Sequence, residues 1–133
     1  MVPPPGDPRR NTFNLDMIAN GWAAFFPVYP SLPKNPDLAK ALAAADAAWT
    51  SSAGAWGEFG TDLLLAYEYR LCIKLGTAKD AKSGMQAAFQ RHCVDLRNLS
   101  DVGKYGWAEV PPSQRLWYWH DDGDVARPAL GLV

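Results

Sequence analysis

Leu38, Leu42, Ala45 and Trp49 recur at spacings of four, three and four, which gathers them on one stripe of a helix. Asn35-Pro36-Asp37 supplies its start: a capping Asn, a proline whose missing N–H would be unpaired anyway, and an acid at the positive end of the dipole. The pattern predicts that this Ala-rich helix closes near Ser52 to Gly54. Upstream, Phe13 and Met17 share a face, Asn11 or Thr12 can cap, and Gly21 suits a left-handed C-terminal residue, so a short helix is predicted over Thr12 to Asn20. The run Trp22 to Tyr29 is too short for another helix and contains Pro27. It is predicted to be extended chain at a sheet edge, closed by the turn formers Pro30, Ser31 and Pro33.

The period changes after Gly60. Tyr67, Tyr69, Leu71, Ile73 and Leu75 alternate with Glu68, Arg70, Cys72 and Lys74, which predicts a strand over Tyr67 to Leu75. His92, Val94 and Leu96 alternate with Arg91, Cys93, Asp95 and Arg97, and Arg115 to Trp119 is a third β-rich run behind Pro111-Pro112. The expectation is an α+β chain: short helix, extended segment, Ala-rich helix, then a small antiparallel sheet of about three strands. Thr77 to Gln90 reads either as a mobile connection or as a short helix.

Composition narrows the class. The chain has 133 residues, a net charge of −1, and six Trp, five Tyr and five Phe, which is too aromatic for wholesale disorder. Charge is even, with four basic and five acidic residues through Gly60 and nine of each after it, so no basic footprint for DNA stands out. Eight of the 11 prolines fall in the first 36 residues, giving a Pro-rich segment over 1–10, a helical part over 11–60 and a β-rich part over 61–133. No apolar run reaches the ~18 residues of a membrane span. Met1 to Arg10 carries prolines and charges where a secretory leader would be hydrophobic, so a cytoplasmic protein with no membrane partner is the expectation. Cys72 and Cys93 show no metal spacing and read as two reduced, semi-buried thiols.

Phe13-Asn-Leu-Asp-Met-Ile-Ala-Asn-Gly-Trp-Ala-Ala-Phe-Phe-Pro-Val-Tyr29, followed by the Ala-rich helix and the Gly54-Ala-Trp56 exit, resembles the C-terminal half of a thermonuclease domain, the staphylococcal-nuclease-like fold. The resemblance covers about Asn11 to Gly57. The tail is similar to an extension of some bacterial relatives, through Tyr67-Glu-Tyr-Arg70, the run Arg91 to Leu96, and Val110-Pro-Pro-Ser-Gln-Arg-Leu-Trp117. Such proteins hydrolyse DNA or RNA phosphodiesters with a calcium ion held mainly by two Asp, a Glu as general base and two Arg on the phosphate. All of these come from an OB-type barrel upstream of the helix that matches Thr12 to Asn20. With eleven residues before that helix, the expectation is a chain without the barrel, without catalytic or metal-binding residues, and inactive alone. Arg9 and Arg10 do not match the family's catalytic arginines. Tyr29 matches a tyrosine that packs beside the bound nucleotide, but its partner position is Pro27. Partners would be nucleic acid only if a barrel is supplied, or a second copy or another protein on apolar area left around Phe13, Met17 and Phe25.

Other candidates have plainer readings. Tyr29 between prolines packs more readily on a neighbouring element than on a base. Trp117 and Trp119, at strand spacing, form either a ligand platform or, more simply, the buried face of a sheet. The alternative function is accordingly a protein-binding or structural module using that Trp-rich sheet. His120-Asp121-Asp122-Gly123-Asp124 offers four potential ligands but lacks the regular alternation of a calcium loop and reads as a solvated turn. His92 and Cys93 are adjacent in a strand, so they point apart and cannot act as base and thiol. Glu68 and Arg70 are expected to pair on one strand face with Asp95 across from them. Asn98-Leu99-Ser100 is a glycosylation sequence only in a secreted eukaryotic protein.

Overall fold

The computed structural model describes residues 13–34, 36–60, 63 and 65–132. The described residues fall into two units, one made of those within Met1–Phe25 and Lys34–Leu63, the other of those within Phe26–Pro33 and Leu64–Val133.

The first unit is helical. Helix α1 (Phe13–Ala19) packs against α2 (Asp37–Thr50), and the short α3 (Ala55–Phe59) follows. Gly21, at φ +78°, closes α1: its N–H reaches the Ile18 carbonyl at 3.1 Å and that of Trp22 reaches Met17 at 2.9 Å. This is the left-handed stop expected of Gly21. Helix α2 ends the same way on Ser52, at φ +55°, with Ala53 N–H on the Ala48 carbonyl at 2.9 Å. Gly21 is buried, and its carbonyl accepts the Ala55 N–H at 3.0 Å. A β-carbon on Gly21 would collide with the Ala53 carbonyl, and one on Gly54 with the Asn20 carbonyl, so both junctions require glycine.

The buried side of α2 is Ala41, Ala45 and Ala48, whereas Leu38, Leu42 and Trp49 are half-buried. The inward stripe is therefore rotated from the sequence reading, because small side chains bring a neighbouring helix close while the larger ones flank the seam. Trp49 meets Trp56 edge to face at 5.2 Å, so the helix exit is anchored as expected. Phe13 is 77 % exposed, while Met17 and Phe25 are half-buried. The capping candidates Asn11, Thr12 and Asn35 lie outside the described residues.

The second unit holds α4 (Ala66–Thr77), α5 (Ala81–Ala88), α6 (Gly123–Leu130) and a sheet of β1 (Val28–Tyr29), β2 (Arg91–Asp95), β3 (Ser100–Gly103) and β4 (Arg115–Trp119). The strand order is β1-β4-β2-β3; β2 is antiparallel to both neighbours and β1 runs parallel to β4. The α+β class holds, with a mixed four-stranded sheet where an antiparallel one of about three strands was expected. Pro27 is tolerated because β1 is an edge and Pro27 only accepts, from the Trp117 N–H at 2.9 Å.

Two sheet faces follow from the β2–β4 register, which pairs Arg91 with Trp119, Cys93 with Trp117 and Asp95 with Arg115 on one side, and His92 with Tyr118 and Val94 with Leu116 on the other. Val94, Leu116 and Tyr118 form a core with Ala126 of α6, flanked by Tyr29, Leu32 and Leu130. Burying Val94 or Leu116 contributes roughly 1.5–3 kcal/mol each. On the opposite face Phe26 stacks on Tyr67 at 4.6 Å, and Tyr67 meets Trp117 edge-on at 5.2 Å.

The segment expected as a strand over Tyr67 to Leu75 is helix α4. Tyr67, Leu71 and Leu75 satisfy a four-residue spacing as well as alternation, and the helix buries Tyr67, half-buries Leu71 and leaves Tyr69 and Ile73 exposed. Glu68 Oε1 accepts the Leu65 N–H at 3.1 Å, satisfying a helix-start donor that a strand would not present. The expected Glu68–Arg70 pair disappears with the strand, since residues two apart on a helix diverge by about 200°. Asp95 instead takes Arg97, with Nη2 at 2.8 Å and the backbone N–H at 3.0 Å. Of the two readings of Thr77 to Gln90, the helix is found: Asp80 Oδ1 accepts the Ser83 N–H at 2.8 Å and starts α5.

Candidate functional site

Strand β2 sends Arg91 and His92 to opposite faces of the sheet, and each becomes the centre of a polar system. On the His92 side the ring stacks on Tyr118 at 4.9 Å and on His120 at 5.1 Å. His92 Nε2 lies 2.8 Å from His120 Nδ1, and His92 Nδ1 lies 3.4 Å from Asp101 Oδ1. Asp101, on β3, also accepts from the Gly103 N–H at 2.8 Å and from the Tyr118 hydroxyl. Arg127, one helical turn into α6, reaches the Tyr118 hydroxyl at 3.3 Å and Asp101 Oδ2 at 3.5 Å. Four elements, β2, β3, β4 and α6, therefore converge on one carboxylate.

One assignment of the ring protons satisfies these contacts. Burial acts to raise the Asp101 carboxyl, but the hydrogen bonds from Tyr118, Gly103 and His92 outweigh it and hold the carboxyl below the usual Asp value. With His92 Nδ1–H donating to the ionised carboxylate, neutral His92 accepts at Nε2 and His120 donates from Nδ1. His120 Nε2 is then the relay's remaining acceptor, on an exposed residue. Burial holds His92 below its ordinary value; Asp101 opposes this, and His120 and Arg127 add to it. Chemically this is a carboxylate–imidazole–imidazole relay able to deliver or take a proton at His120.

The predicted candidates distribute unevenly. Tyr29 sits in β1, half-buried against the sheet core beside Tyr118. Trp117 is 4 % exposed and Trp119 is 42 % exposed, so the pair splits between core and surface. Asp121, Asp122 and Asp124 are exposed at the start of α6, while His120 beside them belongs to the relay. Among the described residues no three or more His, Cys, Asp or Glu side chains gather to hold a metal. Cys93 is fully buried, with its thiol pushed up to about 12 by burial, and lies on the face opposite His92. Cys72 is exposed and free, so the two thiols differ where both were expected semi-buried. Sequence reasoning missed Asp101, Tyr118 and Arg127, because their meeting depends on β3 and on contacts 17 and 26 residues apart in the chain.

The other face carries a cation among rings. The Arg91 guanidinium lies 5.0 Å from the Phe26 ring centroid, 5.8 Å from Trp117 and 5.3 Å from Trp119. Buried Arg115 donates from Nε to the Val110 carbonyl at 2.8 Å and from Nη1 to the Tyr67 hydroxyl at 2.7 Å. Comparison with protein-family models, with characterised proteins and with solved structures gave no match for this chain.

Proposed function

We propose that the chain is the C-terminal part of a thermonuclease-like protein, in which residues 11–60 are the helical portion of the nuclease domain and residues 61–133 an extension. The observation supporting this reading is the glycine junction. Gly21 ends a short helix and its carbonyl takes the Ala55 N–H at 3.0 Å, at the exit where Trp56 packs on Trp49. That is the order and spacing of helix, Gly, extended Tyr segment, helix and Gly-x-Trp on which the resemblance rests.

The activity of such a protein is metal-dependent phosphodiester hydrolysis, which needs carboxylates on the cation and cationic donors on the phosphate in one place. The donor set of the described residues does not fit a calcium ion, since no three candidate side chains converge. In this reading calcium chemistry belongs to a separately supplied barrel, and the chain by itself is inactive. The test is a gel assay on single-stranded DNA. Cleavage is expected only when the chain is mixed with the barrel fragment of a related nuclease, and chelator should abolish it. Chelator-sensitive cleavage by the chain alone, lost on mutating Asp121, Asp122 and Asp124, would overturn the reading, as would failure of the mixture. A second reading, a protein-binding module, draws on the 42 % exposure of Trp119 at the end of β4.

A further inference from the structure

Arg70 and Lys74 on α4 and Arg91 on β2 line one half-open cavity of about 110 Å³, together with Gln90 and Trp119. Among the described residues none of the three cations has a carboxylate in ion-pair contact; the pairs formed are His92–Asp101, Arg97–Asp95 and Arg127–Asp101. Arg91 is held against rings, which attract a cation without neutralising it. Burial, and after it the charge of Arg70, keeps the Arg91 guanidinium below its ordinary value, so the two arginines repel each other. An anion in the cavity would relieve that repulsion.

Trp119 and Gln90 also wall a second cavity, of about 270 Å³, with Phe89, Gln86, Lys104 and His120 among its lining. The smaller space holds several waters, and so a tetrahedral oxyanion, while two guanidinium forks match phosphate oxygens better than point charges do. The larger space has an aromatic wall and side-chain amides suited to a flat heterocycle.

We propose that these adjoining cavities form a binding site for a phosphate group joined to a flat heteroaromatic ring, the phosphate held by Arg70, Lys74 and Arg91 and the ring lying against Trp119. The chemistry is that of a nucleotide, free or at the 5′ end of a strand. It requires no barrel and is independent of the nuclease reading.

Isothermal titration of the full chain tests it with adenosine monophosphate, adenosine and inorganic phosphate. The monophosphate is expected to bind at least about tenfold more tightly than either part alone. The double variant R70Q/K74Q, which alters two exposed side chains, should weaken it by about tenfold or more, and added salt should do the same. Trp119→Leu should erase the preference for the monophosphate over inorganic phosphate. A 5′-phosphorylated dinucleotide that outcompetes the monophosphate would support the site and identify a strand end as the source; equal or weaker binding would support it and identify a free nucleotide. No binding of the monophosphate at millimolar concentration, or binding unaltered in folded R70Q/K74Q, would overturn the proposal.

Discussion

Arg91 and His92 are sequence neighbours whose side chains serve opposite faces of one sheet: Arg91 rests 5.0 Å from the Phe26 ring, and His92 joins His120 at 2.8 Å. The pleat separates a cation-rich face from a proton relay by the thickness of one strand. Because β4 pairs with β2 across the same register, Trp119 belongs to the first system and Tyr118 to the second. A change at Arg91 should leave the hydrogen bonds of His92 intact, and the two systems meet only at the strand end, where His120 borders the cavity beside Trp119.

The relay makes stability depend on pH in a defined direction. His92 is held below its ordinary value of 6.5, so between that value and its folded one the unfolded chain binds more protons. Its contribution is complete above about pH 6.5 and is lost as pH falls toward the folded value. Asp101, lowered from 3.8, adds stability that is present above that value and lost as pH falls through its folded one. The expected outcome is a melting temperature that declines steadily below pH 6.5; in Asp101→Asn the loss below pH 3.8 should shrink, while the His92 loss should extend to lower pH because Asp101 no longer opposes the effect of burial. An NMR midpoint for His92 above 6.5 would contradict the dominance of burial over Asp101 at this ring.

The thiols give a chemical readout of the sheet core. Cys93 is fully buried with its thiol pushed up to about 12, whereas Cys72 lies exposed on α4. Since the thiolate is the reactive species, a thiol reagent at neutral pH should label one equivalent per native chain, at Cys72, and two after denaturation. Rapid labelling of native Cys93 would mean that β2 and β4 open easily.

Local signals made β4, α2 and the Gly21 stop legible in the sequence. Arg115 to Trp119 is β-rich behind two prolines, and glycine is the residue that left-handed backbone favours. Alternation misled at Tyr67 to Leu75, because five apolar residues at every second position also contain the four-residue helical set. Strand β3, Ser100–Gly103, has no apolar alternation; Asn98, whose Oδ1 takes the Ser100 N–H at 3.0 Å, turns the chain into it. Without β3 Asp101 had no place, and so the relay was invisible while its two histidines were in plain view.

The glycine junction predicts a contrast between two substitutions. Gly21→Ala meets both a φ of +78° and the Ala53 backbone, whereas Gly60→Ala meets a φ of +55° in open space. Left-handed strain alone costs about 1–3 kcal/mol. Gly60→Ala should show a loss within that range in urea titration, and Gly21→Ala a larger one. Equal losses would mean that the approach of the Gly21 and Gly54 backbones is not held in solution.

The docking of α4 can be measured through a buried polar contact. Arg115 Nη1 donates to the Tyr67 hydroxyl at 2.7 Å, across 48 residues of sequence, and Tyr67 is buried between Phe26 and Trp117. Burial raises the Tyr67 phenol, with Arg115 opposing. Tyr67→Phe removes the acceptor but leaves the ring packing, and Arg115→Met removes the donor but leaves the Val110 carbonyl without its 2.8 Å partner. A hydrogen bond involving a charged group contributes about 1.5–3 kcal/mol, and an orphaned buried group costs about 1–3 kcal/mol. Each single variant should therefore lose stability by roughly those amounts, and the double variant by less than their sum. The expected coupling is about 1–2 kcal/mol in chemical denaturation. A strand over Tyr67 to Leu75 would not be expected to present Tyr67 alone to Arg115, so a coupling near zero would return that segment to the reading its alternation suggests.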